Sequence, residues 1–305
     1  MATGTDASPF HPDLRLARFL PRTAVTAGNR RLVRAMGSVG AGRAPRKGEL
    51  VTLPSGARLR VHWPSGAAGP HLPAVLHIHG GGLIIGSARS GDRANRRLAD
   101  TLGAVVASVD YRLPPEHPYP APLDDCEAAL AWLAEHHRVD STRVAVTGES
   151  AGGGLAAALT ARTVDAGRIT LAGQALMYPM LDDRTAADPT QPDPPYLRLW
   201  NGASNRLGWG LYLGAQASTP PADAVPARRD HLSGFPPTWI AVGTLDLFRD
   251  EDHAFAERLA AAGVACEIVT VPGAYHGFDV AEPHASVSID TTRRLTEALR
   301  GMLKS

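Results

Sequence analysis

"VAVTGESAGGG", residues 144–154, runs an apolar alternation into four glycines set around Ser150. The apolar half reads as a buried strand, and the Gly/Ala-rich half, continuing through "LAAAL", as the start of a helix. A serine at such a junction sits on a tight, strained turn with its hydroxyl exposed, and its neighbours two positions away must be small. Gly148 and Gly152 meet that condition. Gly153, Gly154, Ala156, Ala157 and Ala158 let the helix approach a sheet closely, with the positive end of its dipole toward the serine. Alone, a Gly-x-Ser-x-Gly pattern in a chain with 31 glycines is weak evidence.

Outward from this junction, strand-like and helix-like segments alternate. "GELVTLPSGARLRVHW" (48–63) reads as a hairpin turning at Pro54-Ser55-Gly56, and "PAVLHIHG" (73–80) as a buried strand ending in glycines. A helix is expected over 92–102, a strand in "AVVASVDYRL" and a helix with an acidic first turn in "PLDDCEAALAWLAEHH". Beyond Ser150, "LAGQALMYPML", "PTWIAVGTLD" and "CEIVTVPGAYHG" read as strands, "RDEDHAFAERLAAAG" as a helix, and 286–303 as a closing helix. This alternation predicts an α/β fold, a mostly parallel sheet covered by helices on both faces. Functional residues then belong at the carboxyl ends of the strands.

Two segments break the rhythm. Residues 1–47 read as an N-terminal helical cap before a catalytic domain spanning 48–305, and 183–225 as a cap region inserted in that domain. Residues 15–47 carry eight arginines and one lysine against no acid, with Leu14, Phe19, Leu32, Val33 and Met36 as apolar partners. The expectation is an amphipathic helix or two, packed by the apolar side and solvated on the basic side; a membrane-surface role is the alternative.

The net charge of +1 argues against a general nucleic-acid binder. No apolar run approaches the roughly 18 residues of a membrane span, and the N-terminus lacks a signal-peptide pattern, so a cytoplasmic protein is expected. The two cysteines, Cys126 and Cys266, make neither a disulfide framework nor a metal site. No metal and no cofactor are expected.

Four features at strand ends carry chemistry. Ser150 is the nucleophile candidate. His79-Gly80-Gly81-Gly82 follows a strand, and glycines there free backbone N–H groups to form an oxyanion hole with that of Ala151. Asp246 follows a strand more closely than Asp250, Glu251 and Asp252, which fit better as N-cap and first turn of the next helix. His276 lies in a Gly-flanked loop after the last strand. In this scheme His276 takes the proton of Ser150, Asp246 fixes the imidazole, and the Gly81, Gly82 and Ala151 amides hold the oxyanion.

"HGGG" at 79–82, "YRLPPEHPYPAPLDD" at 111–125, "GESAGGG" at 148–154, "GTLDLFRDED" and "AYHGF" together resemble the bacterial hormone-sensitive-lipase-like esterases of the α/β-hydrolase superfamily, from about residue 50 to the C-terminus. The resemblance implies a metal-free serine carboxylesterase for short- to medium-chain acyl esters, with Ser150, Asp246 and His276 as triad. It implies that His79 orders the glycine loop, that Tyr111, Arg112, Pro115, Glu116 and Pro120 brace it, and that the caps line the pocket, with Trp200, Asn201 and Tyr212 as candidates. The partner is a small-molecule ester, and a homodimer through the last strand stays open. Lactone or amide hydrolysis, and a non-catalytic small-molecule receptor, are the alternatives. Two departures stand out: Glu149 where many relatives carry Asp, and Gly154 where many carry Asn.

Overall fold

The computed structural model describes residues 8–66, 69 and 71–304. In chain order its helices and strands are α1 (Arg30–Ser38), β1 (Gly48–Thr52), β2 (Arg58–His62), β3 (Leu72–Ile78), α2 (Asp92–Leu102), β4 (Val105–Asp110), α3 (Ala121–Glu135), β5 (Val139–Glu149), α4 (Ala151–Ala166), β6 (Gly173–Met177), α5 (Gly202–Leu213), β7 (Thr238–Gly243), α6 (Arg249–Ala261), β8 (Cys266–Val271), α7 (Phe278–Ala281) and α8 (Ser286–Met302). The strands form one sheet in the order β1-β2-β4-β3-β5-β6-β7-β8. β2 pairs antiparallel with β1 and β4, and every other pairing is parallel.

The continuous apolar runs follow from burial on both faces. Val105, Ala107 and Val109 of β4 and Val144 and Val146 of β5 join one core with residues of α3, α4 and α6. Val106 and Ala145, pointing the other way, join a second core with residues of α2 and α8. In α3, Leu123, Cys126, Leu130 and Leu133 are buried at spacings of three and four, the inward stripe of a helix on a sheet. α2 and α4 end at Gly103 and Gly167, both left-handed, the conformation that glycine adopts without a steric penalty.

α4 starts where backbone meets backbone. A Cβ on Gly152 would lie 2.0 Å from the Ile78 carbonyl oxygen at the end of β3, and one on Gly154 2.1 Å from the Met180 carbonyl oxygen. The chain's Gly154, where an asparagine was the familiar residue, thus stands where this backbone leaves no room for a side chain.

The N-terminal segment departs from expectation. Leu14, Ala17 and Val25 are buried, but α1 is turned over: Arg30 is buried, while Leu32 and Met36 are exposed. Arg34 explains the orientation, since its guanidinium reaches Glu116 at 2.6 Å and is aimed at the carbonyls of Leu113 and Pro114. In the 183–225 segment, α5 buries Trp209 and Tyr212, and Trp200 is buried just ahead of it, as rings of that size demand. Among the described residues, no helix is long and apolar enough to cross a membrane.

Replacing Gly152 by alanine forces a methyl group into the Ile78 carbonyl. The variant is expected to lose at least about 2 kcal/mol of stability through overpacking, read as a lowered urea midpoint, whereas Gly210→Ala, where nothing lies within 4 Å of the added Cβ, should leave the midpoint unchanged or raised.

Candidate active site

Each of the four sequence features lies just past the carboxyl end of a parallel strand: His79–Gly82 after β3, Ser150 after β5, Asp246 after β7 and His276 after β8. Ser150 holds φ +56° and ψ −123°, a backbone that strains a residue with a Cβ. Its surroundings determine it: the Ser150 N–H donates to Met177 O at 2.9 Å, and its carbonyl accepts from the N–H groups of Gly154 and Met180. The twist aims Oγ at His276, whose Nε2 is 2.9 Å away. On the far side of the ring, Nδ1 lies 2.9 Å from Asp246 Oδ2 and 3.1 Å from Oδ1. With Nδ1 facing a carboxylate, the proton belongs there, which leaves Nε2 as acceptor for the serine hydroxyl. Asp246 is itself anchored, accepting the Phe248 N–H at 3.0 Å.

Two rings that sequence reasoning passed over clamp the imidazole. Phe248 meets it edge-on at 5.1 Å between centroids and Tyr178 at 4.8 Å. The Tyr178 hydroxyl donates to half-buried Asp279. Burial first, and the Asp279 carboxylate second, push the Tyr178 hydroxyl well above its ordinary pKa, so it stays a donor. The one signal for Tyr178 was its place at the end of a strand, in "MYP".

The glycine loop turns through left-handed backbone at Gly81 (φ +119°) and Gly82 (φ +58°). Among the described residues, no acceptor is bonded to the N–H of Gly81, Gly82 or Ala151. Three undirected amides beside a serine hydroxyl are what a developing oxyanion requires. His79 stacks on Tyr111 at 4.3 Å and places Nδ1 2.8 Å from the Gly80 carbonyl. Burial lowers its pKa, so it is neutral and Nδ1–H is the donor. The Tyr111 hydroxyl donates to His79 O, and Arg112 grips Asp125 through Nε, Nη2 and its own N–H. The 111–125 stretch is therefore a brace beneath the loop.

Glu149 has a defined place. Its Oε1 accepts the Gly80 N–H at 3.0 Å and its Oε2 sits 2.8 Å from His77 Nε2. Asn95 Nδ2 donates to His77 Nδ1 at 3.2 Å, which sets the tautomer with the proton on Nε2. Burial acts to raise the Glu149 pKa, but His77 and the Gly80 amide outweigh it and hold the carboxyl below its usual range. A carboxylate directly before Ser150 thus ties β5 to the glycine loop.

The acids near Asp246 divide sharply. Asp250 is exposed and paired with Arg249. Glu251 and Asp252 lie in the first turn of α6, as expected, and both are buried. Glu251 accepts the N–H groups of Leu181 and Asp182, pinning the chain after β6. Asp252 has no partner among the described residues for either oxygen. Burial, then the charges of Glu251 and Asp246, raise its pKa well above the ordinary value.

Of the three pocket candidates, the structure brings Trp200 to the loop: a Cβ on Gly82 would lie 1.9 Å from its indole. Gly208 of α5 also presses there, its added Cβ falling 2.6 Å from the Gly82 carbonyl oxygen. Asn201 instead caps α5, accepting the Ser204 N–H and donating to Thr23. Tyr212 packs edge-on against Tyr119 and Trp209. An open depression of about 540 Å³ between Asp13–Leu16 and Ala281–Ser286 is lined by none of the triad residues.

A family model described as alpha/beta hydrolase fold matches residues 75–280. The chain belongs to this family. Esterase LipI of Mycobacterium tuberculosis is 37% identical over 80% of this chain and 78% of its own length, and carboxylesterase NlhH of the same species 38% identical over 72% and 70%. Among solved structures, a bacterial heroin esterase superposes with a TM-score of 0.86 at 34% identity, covering 97% of this chain and 99% of its own. As an alpha/beta hydrolase, the protein presents its serine, histidine and acid in the chain order and at the strand ends that the fold uses.

Two outcomes test this reading of the site. Breaking the Glu149 tie, by Glu149→Gln or His77→Phe, should lower kcat about ten-fold by misplacing the loop, with KM changed by less than about two-fold. For Asp252, below the unfolded pKa of about 4 both states hold the proton and the group adds no penalty. As pH rises, the unfolded chain releases the proton and the folded one keeps it, so stability falls until the raised folded pKa is passed. Asp252→Asn removes this loss, and its urea midpoint should gain on that of wild type as pH rises from about 4 to about 8.

Proposed function

We propose that Ser150 of this carboxylic ester hydrolase is the nucleophile of a serine esterase of the hormone-sensitive-lipase-like branch, acting on short- to medium-chain acyl esters. The observation that carries this reading is the Ser150–His276–Asp246 hydrogen-bond chain, 2.9 Å at each link, facing three undirected amides. His276 Nε2 accepts the Ser150 proton as Oγ attacks the ester carbonyl carbon, and the carbonyl electron pair moves to an oxygen held by the Gly81, Gly82 and Ala151 N–H groups. Collapse of the intermediate expels the alcohol, which leaves with the proton from His276, and leaves an acyl group on Ser150. Water, deprotonated by His276, then releases the acid by the same steps. Asp246 fixes the ring and stabilises imidazolium. The chemistry needs only proton transfer and charge stabilisation, both supplied by these side chains and amides.

Chain-length preference rests on space. Ser150 is 6% exposed, and Trp200 lies directly over Gly82, so the indole limits the group that fits beside the oxyanion hole. We read segments 1–47 and 183–225 as caps over a 48–305 catalytic domain, working in the cytoplasm. β8 stands at one end of the sheet, where a second copy would pair. Lactone or amide hydrolysis passes through the same tetrahedral oxyanion, and a panel of acyl esters, lactones and anilides separates them.

Ser150→Ala should fold with an unchanged circular dichroism spectrum and lose on the order of 10⁴-fold or more in kcat. Asp246→Asn should cost at least about a hundred-fold through the wrong tautomer, and Asp250→Asn, on an exposed pair, less than about two-fold. Retained hydrolysis in the alanine variant, or a larger loss at Asp250, contradicts the assignment.

A further inference from the structure

α1 presents the wrong face to solvent for a helix laid on a protein core. Its inward side combines arginines with one apolar residue: Arg30 is buried, Val33 is half-buried and Arg34 bonds Glu116 at 2.6 Å. Its outward stripe is apolar. Leu32 is 65% exposed, Met36 68% and Val39 at its C-cap 68%, with Ala35 also exposed. Positions 32, 35, 36 and 39 follow the three-and-four spacing that lines up one helix face.

The chain that carries this stripe is rich in cations. Arg31, Arg43, Arg46 and Lys47 are exposed, and none of them forms an ion pair among the described residues. The Arg89 guanidinium lies against Gly40, 3.1 Å from where its Cβ would be. Residues 14–48 contain no acid at all, in a chain whose net charge is +1. Glu116, the acid that reaches α1, is taken by Arg34.

An exposed apolar stripe in a segment rich in exposed, unpaired cations matches the boundary between anionic headgroups and acyl chains. We propose that the outer face of α1 docks on an anionic phospholipid surface. Leu32, Met36 and Val39 enter the headgroup boundary while Arg31, Arg43, Arg46 and Lys47 meet lipid phosphates. A second copy on this face would set the same cations against one another. A nucleic acid would satisfy the charge and leave the apolar stripe in water. The helix has nine residues, so the apolar and ionic contributions act together, and attachment is reversible and salt-sensitive. Arg34 joins α1 to the 113–116 loop, and Tyr111 just before that loop stacks on His79. Docking therefore holds the lipid surface one loop away from the oxyanion glycines, where membrane-dissolved esters are concentrated. The docking claim stands apart from the hydrolytic one.

The test is co-sedimentation of the full chain with vesicles of phosphatidylcholine, alone or with about one third phosphatidylglycerol. Binding is expected to the anionic vesicles, at least ten-fold weaker to phosphatidylcholine alone, and at least ten-fold weaker when salt rises from about 0.05 M to about 0.5 M. Leu32→Asp with Met36→Asp should lower anionic binding at least ten-fold while the circular dichroism melt stays that of wild type. Arg31→Ala with Arg43→Ala and Arg46→Ala should flatten the salt dependence. No sedimentation with anionic vesicles, or equal binding to both vesicles, overturns the proposal. So does capture by poly-glutamate without vesicle binding, which points to an acidic protein, or an ultracentrifugation dimer abolished by Met36→Asp, which points to a second copy.

Discussion

The close approach of α4 to the end of β3 is the constraint on which the rest of the structure depends. Gly152 lets the helix backbone pass against the Ile78 carbonyl, and a Cβ there would come within 2.0 Å. That contact makes β5 turn abruptly into α4 and puts Ser150 at φ +56°. Were α4 farther from the sheet, the turn would relax and the hydroxyl would no longer point at His276. The same approach brings the first amide of α4, that of Ala151, beside the glycine loop after β3. The Ser150 hydroxyl and the amides proposed to hold the oxyanion are thus set by one steric condition.

Two hydrogen-bonded chains then flank the serine. On one side, Asp246 holds His276, the group proposed to take the serine proton, with Phe248 and Tyr178 edge-on to the ring. On the other, Glu149 and His77 hold the Gly80 amide and so the loop. Both consist of a carboxylate and an imidazole whose tautomer the neighbours set. The first acts on a proton, the second on a backbone position. Trp200, just ahead of α5, and Gly208 within it both press on Gly82, which couples the 183–225 segment to the glycine loop.

Much of this was legible in the sequence because it is local. Buried strands announce themselves as continuous apolar runs, and the site residues follow them within a few positions, as "VAVTG" precedes Ser150. What was not legible depends on register between distant strands. Glu149 and His77 are 72 residues apart and meet only because β3 and β5 pair with His77 opposite Thr147. Asp252 is one residue beyond Glu251 in an acidic run that reads as a helix start, and nothing in that pattern says that both are buried. In α1 the periodicity predicts a stripe but does not say which side faces inward, and the partner that Arg34 meets there, Glu116, is 82 residues away.

The central claim is that Ser150 carries the acyl group during turnover. Mixing the protein with excess p-nitrophenyl ester, quenching in acid within the first turnover and mapping peptides by mass tests it most directly. The account predicts a burst of alcohol matching the enzyme concentration and an acyl mass on the peptide containing Ser150, absent in Ser150→Ala. An acyl group on any other residue, or turnover with no acylated peptide when the burst is complete, would contradict it.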